Sequence, residues 1–490
     1  MKLYNTETSG EVETAATGLW SIAEETGANM SNTSVLEQFK WECQPAAEKF
    51  VTEKVDTIQS KIPESSALSL RLLNEASVRF ADMIDTILLH VDDANRDELR
   101  TAGWTRETDS HGFKILTNEL GMFPSVALNT EQPRGTVCID LKVEFVSDFL
   151  ATNDLQRKIM GEPLSQFRCA VLWEKDGFTL AAMERHGLRG YEPDQNIKPT
   201  DVLAVHESFR LRPRFVEDDE VGFKAAHELI DTAIAKIGKP YTCDLWFSAE
   251  REYWMKRNLA GRTQKARQDR LGIGWANHDH HTYRSSREMF PRLVSVWEKL
   301  GFHCRERFYA GMEAGWGAQV MEEPITGIIT FNDVDMSPEE LMGDFSHEGF
   351  SEKRDKLGTV GLWCGLHGEA FLQAGMHHLE AQFDFDLLRE GLEREFGIKT
   401  MKPFTNFEFL TQAFTEGERW KVDPARIEKL LAKNYITPEQ GEQFLVNGAL
   451  GSHLENLERN QGFKGFNQQG VSEIIAATDP RKHAGRVMTS

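Results

Sequence analysis

Two histidine doublets and one later carboxylate are the residues best suited to chemistry. The doublets are His280-His281 in DHHTYR and His377-His378 in MHHLEA; the carboxylate is Glu455 in GSHLENLER. Side chains alternate faces along a strand. DHHTYR then puts His280, Thr282 and Arg284 on one face and His281 and Tyr283 on the other, while MHHLEA groups His377 with Leu379 and Ala381, and His378 with Glu380. Glu455 shares a face with His453 and Leu457. Two neutral imidazoles and one carboxylate on one side of a cation leave the opposite side open, the arrangement that suits non-haem Fe(II) and its reactions with oxygen. Alternation alone does not choose between the members of each doublet, nor between Glu455 and Glu380. A single histidine in such a place is more often a core or surface residue than a ligand.

The elements that must carry these residues occur twice. In the first copy, NHDHHTYRSS reads as a strand and REMFPRLVSVWEKLG as a helix, with Phe290, Leu293, Val294, Trp297 and Leu300 on one face and Gly301 placed to end it. In the second, AGMHHLEAQF is followed by DFDLLREGLEREFG, with Leu388, Leu392 and Phe396 four apart, Asp384 or Asp386 as cap and Gly397 as stop. His280 precedes Gly301 by 21 residues and His377 precedes Gly397 by 20. Strand-like segments follow each helix. The expectation is an α+β fold whose C-terminal part, residues 241–490, holds two βαβββ modules forming one cupped sheet.

Upstream, residues 1–115 read as mainly helical, as in SALSLRLLNEASVRFADMIDTILLHV, and 116–240 as an α+β region of unassigned role. There TVCIDLKVEF reads as a strand, VSDFLATNDL as a short helix, and RCAVLWEKDGFTLAAMERHG as a hairpin turning at Lys175-Asp176-Gly177. MERHGLR, around His186, superficially resembles the histidine-arginine pattern of DHHTYR, but Arg189 comes one residue early, and we read it as structural. A chain of 490 residues needs more than one structural unit. Its composition is that of a globular protein, with no apolar stretch of membrane-spanning length. The polar N-terminus lacks the pattern of a secretory leader, so a cytoplasmic location is expected. Six scattered cysteines form no C-x-x-C pair and read as free thiols. A net charge of −21 argues against nucleic acid, although seven Lys/Arg stand against three Asp/Glu between Glu250 and Arg270; a solvated helix face or a subunit contact, with homo-oligomerisation left open, is the plainer account.

The histidine-strand, helix and closing-strand motifs resemble the vicinal oxygen chelate superfamily, in particular the family of 2-oxoadipate dioxygenase/decarboxylase. The similarity covers roughly residues 275–480. It is carried by DHHTYRS, ITFNDVDMSPEEL, WCGLHGEAFLQAGMHHLEA, and GSHLENLER with the following GFKGFNQQGVSEIIAATDP. The resemblance implies a metal held by His280, His377 and Glu455, with Arg284 on a substrate carboxylate and Gln319 as a lesser orienting group. A shift of one residue would substitute His281 and His378, with Glu380 as rival carboxylate. Asp279 or His281 could fix an imidazole tautomer. The implied activity is Fe(II)-dependent oxidative decarboxylation and hydroxylation of a small 2-oxo acid by O2; Mn, Zn, Co or Ni are alternative metals. The rival expectations are a divalent-metal lyase, isomerase or hydrolase of the same fold, and a non-catalytic binding protein.

Overall fold

The computed structural model describes residues 41–483, apart from 94–95, 111, 311–314, 352, 468–469, 472–473 and 476–477. The N-terminal stretch on which the expectation about a leader rests lies outside these residues. No helix among them is long and apolar enough to cross a membrane.

Two helices, Pro45–Lys61 and Pro63–Ala76, lead into a sheet of seven strands: β1 (Ile84–His90), β2 (Trp104–Ser110), β3 (Phe113–Asn118), β4 (Ser125–Asn129), β5 (Val137–Lys142), β6 (Phe167–Lys175) and β7 (Phe178–Arg185). The hairpin expected at Lys175-Asp176-Gly177 joins β6 to β7, with Asp176 and Gly177 at positive φ. Residues 1–115 were expected to be mainly helical, and in their described part helical residues outnumber strand residues, but it ends in β1, β2 and the first half of β3, so residue 115 lies inside β3. The run ILLH in β1 is apolar on both faces because the sheet is covered on both sides. Such short runs carry no period that tells strand from helix.

Three helices, Pro199–Arg210, Asp219–Ile237 and Lys239–Met255, then pack together before the second sheet. Its main path holds β8 (His278–Arg284), β9 (His303–Ala310), β10 (Trp316–Glu322), β11 (Ile329–Asp335), β12 (His378–Gln382), β13 (Thr405–Phe407), β14 (Leu410–Phe414) and β16 (Ala449–Arg459); β15 (Glu418–Trp420) pairs β16 from the side. The order is β13-β14-β16-β12-β8-β11-β10-β9. Each half is a βαβββ module in which the first strand pairs in parallel with the last, β8 with β11 and β12 with β16. The modules meet through their first strands, β8 antiparallel to β12. The sheet curls into a cup.

The helices after the histidine strands form for the reasons their sequences give. Phe290–Leu300 buries Phe290, Leu293, Val294, Trp297 and Leu300 against the convex side and stops at Gly301, whose φ of 107° a side chain would resist. Phe385–Phe396 is capped by Asp384, which accepts from Leu387 N–H, and ends at Gly397 in the left-handed region. Leu388 and Leu392 are buried there, but Phe396, expected on the same face, is 44% exposed at the helix end.

Candidate metal centre

On the concave face, four side chains from three adjacent strands converge. His280 Nε2 lies 2.9 Å from Glu380 Oε1, and His378 Nε2 lies 2.5 Å from the same oxygen and 3.5 Å from Glu455 Oε2. Ligand atoms of His280, Glu380 and Glu455 all fall within 4.8 Å of one another. All four residues are buried.

A β-bulge aims the first histidine. Leu379 pairs with His281 and Ala381 with His278, so Asp279 and His280 together oppose Glu380. The extra residue lets both turn toward the cup and leaves His278 and His281 behind the sheet, their rings 5.3 Å apart. Asp279 then takes His280 Nδ1 at 2.7 Å and is itself gripped by Arg459 and Gln382. Burial disfavours the charged form of Asp279, but Arg459 and His280 outweigh this and hold its carboxyl well below the usual range. An ionised carboxylate only accepts, so Nδ1 carries the proton. Burial lowers the His280 pKa, so the neutral ring turns the Nε2 lone pair into the site.

The second histidine is His378, not His377. Antiparallel register sets His378 opposite Thr282, on the face of His280. His377 stands outside the cluster, its ring 5.5 Å from Trp363 and 5.3 Å from His453. It still touches the site indirectly, because its Nδ1 lies 2.6 Å from His378 Nδ1. If His378 donates that proton, its own Nε2 is free to bind a cation.

Parallel register places Glu380 beside Glu455. Burial, then repulsion from Glu455, pushes the Glu380 pKa well up; burial pushes Glu455 up to about 8. Thr282 Oγ1 donates to Glu380 Oε1 and Gln412 Nε2 to Glu455 Oε1, each at 2.8 Å, while Glu380 Oε2 is buried without a partner. Two inward imidazoles beside two crowded carboxylates, with one orphaned oxygen, fit a divalent cation.

Arg284 lines the same cup, 3.5 Å from Asp333 Oδ2 and 5.7 Å from the Trp363 ring centre. Burial raises the Asp333 pKa to about 7 despite that guanidinium. Gln319 projects to the other side of β10, where its amide donates to the Glu306 and Val320 carbonyls and accepts from Ser346. It touches neither the cluster nor Arg284, because Trp316, Ala318 and Val320 occupy the concave face. An aromatic wall of Trp316, Phe331, Phe404, Phe414 and Phe466 closes the cup to about 30 Å³ of free space. Sequence reasoning did not pick out Asp333, Gln412, Phe466 or Arg459. Asp333, Arg459 and Phe466 lie within segments that carried the resemblance, but nothing in their spacing marks them.

No family model and no curated protein matches this sequence. Among solved structures, the chain is similar to a putative glyoxalase superfamily protein from Ralstonia eutropha JMP134, at 11% identity over 55% of this chain and 99% of that one, with a TM-score of 0.31. It is also similar to a putative hydrolase from Shewanella frigidimarina NCIMB 400, at 14% identity over 46% and 97% (TM-score 0.29), and to a mutant 4-hydroxymandelate synthase from Streptomyces coelicolor, at 12% over 81% and 97% (TM-score 0.22). The strand order decides the architecture. The C-terminal sheet is two βαβββ modules paired through β8 and β12, the architecture that the sequence resemblance implied. In that fold the cup is where the clustered histidines and carboxylates of this chain lie.

Proposed function

We propose that the protein is a metal-dependent enzyme, and specifically an Fe(II) dioxygenase acting on a small 2-oxo acid. The observation that carries this reading is the convergence of His280 Nε2, His378 Nε2 and Glu455 on one buried face beside the Arg284 guanidinium. Fe(II) held by these three would supply the oxygen chemistry that the residues themselves lack. Asp279 and His377 orient the two imidazoles. Arg284 binds the substrate carboxylate through a charge-assisted pair. The aromatic wall keeps bulk water from the reacting atoms. Burial and the neighbouring Glu455 favour the protonated form of Glu380 in the metal-free site.

Glu380 also supports a second reading. As a fourth protein donor it would leave fewer open positions on the cation, which favours Lewis-acid chemistry on a single bound substrate over a reaction that also admits O2. Metal content and Fe(II)-dependent oxygen uptake with a panel of 2-oxo acids decide between them, using wild type, His280→Ala, His378→Ala and Glu455→Ala. Uptake present in wild type and lost in all three variants supports the dioxygenase. Metal bound without uptake supports the Lewis-acid enzyme, and unchanged metal binding in the variants sinks the site.

A further inference from the structure

The seven-stranded sheet repeats the plan of the metal-centre sheet, with one strand fewer in its second half. Its order is β2-β3-β4-β1-β5-β7-β6, with β1 parallel to β4, β5 parallel to β7, and β1 antiparallel to β5. Helices Arg96–Thr101 and Val146–Thr152 follow the first strands, as the helices after β8 and β12 do. A bulge also falls in the same place: Ile84 pairs with Leu141 and Thr86 with Asp140, leaving Asp85 as the extra residue. Matching the bulges sets Asp85 on Asp279, Thr86 on His280, Cys138 on His378, Asp140 on Glu380, Ala181 on Glu455 and Arg185 on Arg459. One ion pair checks that match independently. Arg185 holds Asp85 at 3.0 Å, as Arg459 holds Asp279 at 2.9 Å. The positions of the two imidazoles and Glu455 have become Thr86, Cys138 and Ala181, and the floor of this cup is filled by Phe113, Phe167 and Tyr191.

Its mouth is open instead. A cavity of about 260 Å³ lies between this sheet, the helix Lys239–Met255 and the start of β8. Asp85 is taken by Arg185, Asp244 by His186 at 2.8 Å, and Glu144 by Lys265 at 3.0 Å. Lys142, Arg189 and Arg251 also line it, and among the described residues none of the three has a carboxylate within ion-pair distance. Arg251 is only 7% exposed; among the described residues its sole hydrogen-bond partner is His281, and its Nε has none. Buried cations are costly without counter-charges, and this chain is otherwise acidic, so an unmet charge here calls for an anion. Val143, Leu245, Trp275 and Ile328 give the rest of the wall an apolar surface.

We propose that the N-terminal half is a second paired-module unit that holds no metal and binds a small organic acid at its cup mouth, with the carboxylate on Lys142, Arg189 and Arg251 and the apolar body against Trp275. This site is separate from the metal centre and does not depend on the reaction assigned there. The test uses the full chain stripped of metal, with hexanoate as probe, 1-hexanol as its neutral counterpart and inorganic phosphate as an anion without an apolar body, read by calorimetry. Lys142→Met and Arg189→Met break no ion pair within the described residues, and circular dichroism checks their folding. Saturable hexanoate binding, weakened roughly tenfold or more by each variant but unchanged by Arg284→Met, is the expected result, since each charge-assisted contact is worth at least that factor. Hexanol should not bind. No hexanoate binding, equal binding in both cavity variants, loss on Arg284→Met alone, or binding of phosphate without hexanoate would each overturn the proposal.

Discussion

His377 Nδ1 and His378 Nδ1 lie 2.6 Å apart, so one histidine of the doublet faces the cup while the other holds it in place. Under the proposed function the pair divides between ligand and orienting partner. His378→Ala should therefore abolish stoichiometric metal binding, whereas His377→Ala should retain a site weakened about 10–100-fold, the usual cost of losing an outer partner. Competition with a coloured chelator measures both.

The carboxylate pair makes the metal-free protein sensitive to pH. Glu455, at about 8, and Glu380, well above its ordinary value, bind protons more tightly folded than unfolded. Their contribution to stability is present below the unfolded value and is lost as pH rises through the folded one. Denaturation of chelator-treated protein should show a decline from about pH 5 to pH 8 that is shallower in Glu455→Gln. A cation bound by Glu455, whose pKa is about 8, must displace a proton at pH 7, so calorimetry in buffers of different ionisation enthalpy should report proton release on binding.

Asp279 and Arg459 form a buried ion pair behind the first histidine. Asp279→Asn leaves the guanidinium without its counter-charge and should cost about 3–5 kcal/mol in denaturant unfolding of the metal-free protein. A loss under about 1 kcal/mol would show the pair to be solvated.

Phe466 stands edge-on to His280, ring centres 4.9 Å apart, and helps close the cup. Phe466→Ala should speed metal removal by chelator while leaving the four donors intact, and stopped-flow chelation reads the rate.

Arg284→Lys keeps the charge but loses the planar fork. Under the proposed function, kcat/KM for 2-oxo acids should fall roughly 10–100-fold, consistent with one charge-assisted bond, while metal content stays normal.

Much was legible in the sequence because local chemistry sets it. The two helices after the histidine strands were marked by apolar period and terminal glycines, and their matching spacing marked the two C-terminal modules. His280, Arg284 and Glu455 were reachable by alternation together with the family resemblance. Choosing His378 over His377 was not, because alternation fixes which residues share a face but not which face meets the cup. That choice belongs to the β8–β12 register, a pairing between residues nearly a hundred positions apart. The bulge at Asp279-His280 likewise exists only when two strands are compared, and it decides that Asp279 and His280 face the same way. The duplicated plan of the N-terminal sheet stayed hidden for the same reason. Its ligand positions hold Thr86, Cys138 and Ala181, so no motif survives, and only strand order, bulge position and the Asp85–Arg185 pair reveal it.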